Sequence, residues 1–228
     1  GIFMMDELRR SSAHVFVEDI SHPVLTDGDV HHLSRVLRLK NGEVVSCSDG
    51  RGAWRVTHWK GGAVESVSEV VTEPERSISL TVAIAPVKGD KTDLTIEKLV
   101  EIGIDRIAIL QPLERSVVRW ASDKTSQVMD RYRRIALAAA MQSRRVYLPE
   151  IVGPVSLDAL GVDGIAMAEP GGQASWDGVR TLVIGPEGGF SPSELASSLP
   201  TIDLGSTILR AETAAIVGAS LMVAHSRR

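Results

Sequence analysis

Two stretches carry glycines and charged residues at spacings that could hold a ligand. The first is Leu182-Val183-Ile184-Gly185-Pro186-Glu187-Gly188-Gly189-Phe190, followed directly by Ser191-Pro192-Ser193-Glu194. An apolar run ends in glycine, and a helix start follows at once. Ser191 and Glu194 have the spacing of a capping box, and Pro192 takes the first helical position. Loops at the carboxyl ends of parallel strands are where open α/β sheets bind ligands. Glycines there let the main chain approach a bound molecule closely. A tight strand-to-helix turn needs glycine in any case, so this loop alone names no ligand. Its spacing matches neither G-x-G-x-x-G nor G-x-x-x-x-G-K-[ST], which disfavours dinucleotide and P-loop readings. The second stretch is Asp203-Leu204-Gly205-Ser206-Thr207-Ile208-Leu209-Arg210-Ala211-Glu212-Thr213-Ala214. Again an apolar strand end meets glycine, a short loop and a helix. Arg210 and Glu212 stand where the chain turns into that helix. A surface arginine beside a first-turn carboxylate is the commoner meaning of such a pair. A cofactor or substrate contact is the other.

The surrounding pattern says what must position these turns. Residues 5–75 read as short β-segments, among them 14–17, 43–47, 53–57 and 63–67, separated by Asp27-Gly28, Asn41-Gly42, Asp49-Gly50 and Gly61-Gly62. A small barrel or sandwich fits that spacing. Val30, Leu33, Val36 and Leu37 recur at helical spacing, so a turn or two of helix interrupts it over 29–38. Thr72-Glu73-Pro74-Glu75-Arg76 is the best boundary, giving domains over 1–73 and 77–228. Beyond it the pattern alternates. Strands are expected at 79–85, 106–110, 164–168 and 180–184. Helices are expected at 91–102, closed by Gly103, at 122–142, capped by Ser122, and at 212–224. Alternation of this kind predicts an α/β fold with a parallel sheet covered on both faces.

The chain has 228 residues, of which 43% are hydrophobic and 24% charged, enough to bury a core without disulfides. Cys47 is the only cysteine, which excludes an internal disulfide and a cysteine-built zinc site and fits a reducing cytoplasm. No metal site is expected: His31 and His32 are adjacent and lack a partner at helical spacing. No window of about 18 apolar residues occurs, so no membrane span is expected. The net charge of −4 argues at first against nucleic acid. Locally the balance reverses: residues 31–60 hold six Lys/Arg against two Asp/Glu, and residues 106–145 hold nine against three. Such segments are either solvated faces or phosphate-attracting surface. Trp54, Trp59, Trp120 and Trp176 are expected to pack rather than to stack on bases.

At this point the motifs resemble a known family. Ile184 to Phe190, Leu204-Gly205 and Ile208-Leu209-Arg210-Ala211-Glu212-Thr213-Ala214 are similar to the SPOUT class of methyltransferases, and within it to the ribosomal RNA small subunit methyltransferase E family. His31-His32-Leu33-Ser34-Arg35-Val36-Leu37-Arg38, Lys98-Leu99-Val100-Glu101-Ile102-Gly103 and Ala139-Ala140-Met141-Gln142-Ser143-Arg144-Arg145 agree in the same order, so the resemblance spans roughly residues 8–220. The family has Thr-Glu-Leu-Gly where this chain has Val100-Glu101-Ile102-Gly103, a conservative departure.

The resemblance implies a C-terminal SPOUT domain with a trefoil knot and a small N-terminal PUA-like β-barrel that binds RNA. It implies a homodimer acting in the cytoplasm on 16S ribosomal RNA, within the 30S subunit or its precursor. S-adenosyl-L-methionine is the implied cofactor. Carried onto this sequence, its site is Ala168, Glu169, Ile184, Gly185, Pro186, Glu187, Gly188, Gly189, Leu204, Gly205, Ile208, Leu209 and Ala214. The implied reaction is methylation of uridine N3, whose proton must leave. Arg210 is the first choice for orienting the base or steadying its negative charge, with Glu212 and Glu187 as the nearby carboxylates. Arg9, Arg10, His31, His32, Arg35, Arg38, Arg115, Arg119, Arg144 and Arg145 are the expected RNA contacts, although Arg144 and Arg145 could instead close the long helix. Two alternatives stay open: a SPOUT relative acting on another RNA atom, and a non-catalytic ribosome-assembly factor that binds RNA.

Overall fold

The computed structural model describes residues 2–227; the expected domain limits at Gly1 and Arg228 lie outside them. The chain divides into two compact units, 1–76 with 140–148, and 77–139 with 149–228. The single boundary expected near residue 74 is therefore one of three crossings. The excursion at 140–148 has no composition shift to announce it.

The smaller unit starts with helix α1 (Ile2–Arg10), in a region the sequence reading left without a helix. Strands β1 (Ala13–Phe16), β2 (Val44–Ser48), β3 (Ala53–Lys60) and β4 (Ala63–Ser66) form one sheet in that order, and β5 (Val71–Thr72) pairs with β3. β1 runs parallel to β2, and the remaining pairs are antiparallel. Between β1 and β2, helix α2 (Asp27–His31) runs into a π-helical turn over His32–Val36. Leu33 buries there, packed with Val15, Val45, Cys47 and Trp59. Trp54 and Trp59 are both core residues. Segment 140–148 completes this unit: Val146 packs on Leu8, Trp54 and Val56, and its carbonyl accepts from the amide of Gly52 at 2.9 Å.

The larger unit is built on a six-stranded sheet. In chain order its elements are β6 (Thr81–Ile84), α3 (Lys91–Ile102), β7 (Arg106–Leu110), α4 (Thr125–Gln142), β8 (Glu150–Val155), β9 (Ile165–Gln173), β10 (Thr181–Ile184), α5 (Pro192–Leu195), β11 (Thr201–Ile202) and α6 (Ala211–Ser226). The strand order is β11-β9-β10-β6-β7-β8, and every pairing is parallel. All four residues of β6 are buried, as are three of the four in β10, the signature of strands covered on both faces. α6 buries Ala215, Gly218, Ala219, Met222 and Val223, a helical stripe. Gly103 ends α3 as expected, its amide bonded to the carbonyls of Leu99 and Val100. Ser122 opens a short 3-10 turn rather than capping α4, which starts at Thr125.

Two features of this sheet create a place for a ligand. From β6 the chain builds outward through β7 and β8, then returns so that β10 lies on the other side of β6. That reversal makes a crevice at the carboxyl ends of β6 and β10. The second feature is in β9, whose pairing with β11 jumps from Met167 to Gln173 between adjacent partners Thr201 and Ile202. Ala168–Gly172 is thereby pushed out of register, as Pro170 within a strand demands. Gly172 is obligatory here: a Cβ would lie 2.6 Å from the amide nitrogen of Ile202.

Candidate active site

The loops after β10 and β11, the displaced part of β9 and the first turn of α3 enclose one cavity of about 670 Å³. Every cofactor residue expected from the sequence lines it: Ala168 and Glu169 from β9, Ile184 through Gly189 after β10, and Leu204, Gly205, Ile208, Leu209 and Ala214 around the start of α6. Arg210 and Glu212 line the same cavity. So do residues that had no expected role, notably Lys91, Pro170 and Phe190, together with Arg115, which was expected on an RNA path.

The β10 loop is held from three directions. Its helix end carries the full capping box: Ser191 Oγ accepts from the Glu194 amide at 3.2 Å, and Glu194 Oε1 accepts from the Ser191 amide at 2.8 Å. The loop after β7 braces it. Arg115 donates to the Gly188 carbonyl at 3.1 Å, Ser193 donates to Glu114 at 2.6 Å, and the Glu114 amide donates to Glu194 at 3.1 Å. Hydrogen bonds from Ser193 and Ser191 hold the Glu114 carboxyl below its ordinary value. The fit at Gly188 is close, a Cβ there standing 3.1 Å from that of Arg115. The third tie comes from the loop after β6, where the Lys88 amide donates to Glu187 at 2.9 Å. Glu187 is thereby a strap across the crevice.

The β11 loop is looser. Asp203 accepts from the Gly205 amide at 3.0 Å, and Ile208 is 94% exposed. Arg210 is the N-cap residue of α6 and makes no side-chain cap bond. Glu212, in the first turn, has a side chain 17% exposed, and its Oε1 lies 3.9 Å from Nζ of Lys91.

The expected RNA contacts fall in separate groups. His31, His32, Arg35 and Arg38 are exposed along α2 and the turn after it, where His31 and Arg35 line a shallow depression with Asp27, Val30 and Ser34. Arg9 and Arg10 are exposed on α1, with Arg10 paired to Asp6 at 3.2 Å. Arg119 donates to the Leu113 carbonyl at 3.1 Å. Arg144 is engaged throughout: it donates to the Met141 and Gln142 carbonyls and to the hydroxyl and carbonyl of Ser11. It closes the end of α4. The carbonyl of Arg145 accepts from buried His14. Among the described residues no group of three or more His, Cys, Asp or Glu could hold a metal, and no helix is long and apolar enough to cross a membrane.

The likeness to known proteins agrees with this geometry. A family model described as an RNA methyltransferase domain matches residues 74–223, and one described as an RNA methyltransferase PUA domain matches residues 25–57. The chain is 32% identical over 221 residues to the ribosomal RNA small subunit methyltransferase E of Synechocystis, covering 85% of this chain and 70% of the relative. It is 30% identical over 224 residues to the protein of the same name from Mycobacterium bovis, covering 87% and 85%. A Legionella pneumophila methyltransferase solved with the bound cofactor SAM superposes with a TM-score of 0.82 at 25% identity, over 95% of this chain and 98% of that one. By its sequence over most of its length, this chain belongs to the ribosomal RNA small subunit methyltransferase E family.

Proposed function

We propose that this chain methylates N3 of a uridine in 16S ribosomal RNA, with S-adenosyl-L-methionine as donor. One observation carries the reading. A single cavity at the switch point of the sheet joins a glycine-lined cradle to Arg210 and Glu212.

The cavity fits the donor in chemistry and size. Main-chain atoms of Ile184 through Gly189 and of Leu204-Gly205 suit an adenosine, and the carboxylates of Glu169 and Asp203 suit an amino group and a cationic sulfur. When bound, S-adenosyl-L-methionine supplies a methyl group on a sulfonium, open to in-line displacement. The protein's part is placement and charge, and holding two reactants aligned contributes on the order of 7–11 kcal/mol. Arg210 orients the base and steadies the negative charge that forms as N3 loses its proton. Glu212 receives that proton.

N3 lies on the pairing edge of the base, so the target uridine must be unpaired or drawn out. The smaller unit grips the RNA, through Arg9, Arg10, His31, His32, Arg35 and Arg38. On the larger unit, Arg115 and Arg119 are the further RNA contacts, and Arg144 and Arg145 support the smaller unit by closing α4. The trefoil knot, the homodimer, the 30S subunit or its precursor as substrate, and a cytoplasmic location belong to the same reading, supported by family membership.

The test is methylation of small-subunit particles that lack the modification, followed by mass spectrometry of the nucleosides. The expected product is 3-methyluridine. A ribose-methylated product would place the chain with SPOUT relatives of other specificity, and RNA binding without product would make it an assembly factor. Arg210→Ala is expected to bind donor normally while losing on the order of 10²-fold or more in turnover.

A further inference from the structure

Lys91 carries no role in the sequence reading. It is the first residue of α3, and its side chain reaches the cavity beside Glu212. The 3.9 Å between Nζ and the Glu212 carboxylate places them in one electrostatic field but exceeds hydrogen-bond length. Glu212 is the carboxylate that its ammonium faces. A cation in the first turn of a helix also opposes the helix dipole, by about 0.3–1 kcal/mol. Asp93 in the same turn would suit that place better, yet Lys91 faces the cavity. A local rule broken at a cavity wall points to function.

We propose that Lys91 and Glu212 together read the imide edge of the target uracil. This rests on the uridine N3 reading above. Uracil presents an N3–H donor flanked by two carbonyl acceptors. Glu212 supplies an acceptor for the N–H, and Lys91 supplies a donor for the adjacent carbonyl oxygen. In the proton transfer the N3–H bond breaks and an O–H bond forms on Glu212. The electron pair left on N3 spreads onto the neighbouring carbonyl oxygen, which faces the Lys91 ammonium. The negative charge thus moves from carboxylate to base, and Lys91 exchanges a 3.9 Å ion pair for a charge-assisted hydrogen bond. That bond strengthens as the base becomes charged, and an interaction stronger in the transition state than in the ground state is the condition for accelerating a reaction. The pair also selects the base. A cytosine in the same pose would turn a lone pair toward Glu212 and an amino group toward Lys91, setting acceptor against acceptor and donor against donor.

Lys91→Met and Lys91→Arg test this on small-subunit particles, with donor and RNA affinities measured alongside turnover. Lys91→Met is expected to lower kcat on the order of 10²-fold, with donor affinity, RNA affinity and melting temperature close to those of the unaltered protein. Lys91→Arg, which keeps a donor, is expected to recover part of the loss. Replacing the target by 4-thiouridine, whose sulfur accepts weakly, is expected to slow the unaltered enzyme far more than Lys91→Met, a non-additivity that a structural role would not produce. Near-normal kcat in Lys91→Met overturns the proposal. So does a loss of donor affinity matching the loss of rate, which would make Lys91 a ligand of the donor's carboxylate. A defect confined to KM for RNA that vanishes at low salt would make it a phosphate contact and overturns it too. Nucleoside analysis of the unaltered enzyme keeps the two readings apart: absence of 3-methyluridine there fails the function above and takes this inference with it, whereas normal product with normal Lys91→Met turnover fails this inference alone.

Discussion

Acidification is expected to loosen the smaller unit through one side chain. His14 is 3% exposed, with Nδ1 2.7 Å from the Ser46 hydroxyl and Nε2 2.7 Å from the Arg145 carbonyl. A carbonyl only accepts, so Nε2 carries the hydrogen and Nδ1 accepts from Ser46. Protonating Nδ1 would put a charge into a desolvated site and face the ring with a hydroxyl donor that must turn away. Burial is the main cause that lowers the His14 pKa from 6.5 to about 4. The charge of nearby Arg144 adds to it, against the opposing hydrogen bond to Arg145. The folded value is depressed, so the unfolded chain binds the proton first. The neutral ring's contribution to stability is complete above about 6.5 and is lost as the pH falls toward 4. A gap of about 2.5 pH units at about 1.36 kcal/mol each amounts to roughly 3 kcal/mol. Urea unfolding followed on the smaller unit from pH 7 to pH 4, compared with His14→Gln, isolates this slope from those of other groups. The unaltered protein is expected to lose roughly 3 kcal/mol more than the variant over that range, and the His14 ring resonance is expected to titrate near 4. Parallel stability curves for the two proteins, or a ring that titrates near 6.5, would refute the reasoning.

Three other outcomes follow from the geometry. Gly172→Ala forces a carbon to within 2.6 Å of the Ile202 amide, so β9 and β11 must separate, costing about 1–3 kcal/mol in thermal unfolding and weakening donor binding in calorimetry. Ser191→Ala removes the cap that holds the β10 loop and is expected to cost about 1 kcal/mol, with a larger proportional loss of donor affinity than of RNA affinity. Arg35→Ala and Arg38→Ala, on the exposed face after α2, are expected to weaken RNA binding at every sequence and each to reduce the logarithmic salt slope by about 1, read from binding isotherms between low and moderate salt.

What the sequence made legible depended on how local the signal was. The capping box at Ser191 and Glu194 involves residues three apart, and it appears in the structure with both of its hydrogen bonds. The apolar runs of β6 and β10 announced strands buried on both faces. Long-range features were silent. The displacement of Ala168–Gly172 depends on a mismatch between β9 and β11, and reading along the chain gave the shorter strand 164–168. Segment 140–148 continues a helix that reads as part of the larger unit, and its place is set by partners such as His14 and Gly52 more than eighty residues earlier. The distribution of arginines was legible as charge but not as work: Arg115 and Arg144 carry the same charge as Arg35, yet one braces a loop and the other closes a helix.

Lys91 shows the same limit at the site itself. In sequence it is a lysine at the start of an amphipathic helix, more than a hundred residues from Glu212, and nothing within a turn of it suggests a partner. The connection arises because β6 and β10 are neighbours at the switch point, which brings the loop after β6 against loops from the far end of the chain. The same adjacency lets the Lys88 amide hold Glu187. The β6 loop therefore does two things at once. Its backbone fixes a carboxylate as part of the cradle, and three residues later its side chain leaves a cation facing the other carboxylate. Of the cavity's carboxylates, Glu187 is held by a main-chain N–H, whereas Glu212 lies 3.9 Å from the Lys91 ammonium, beyond hydrogen-bond length. The different surroundings of Glu187 and Glu212 follow from strand order, not from their sequence motifs.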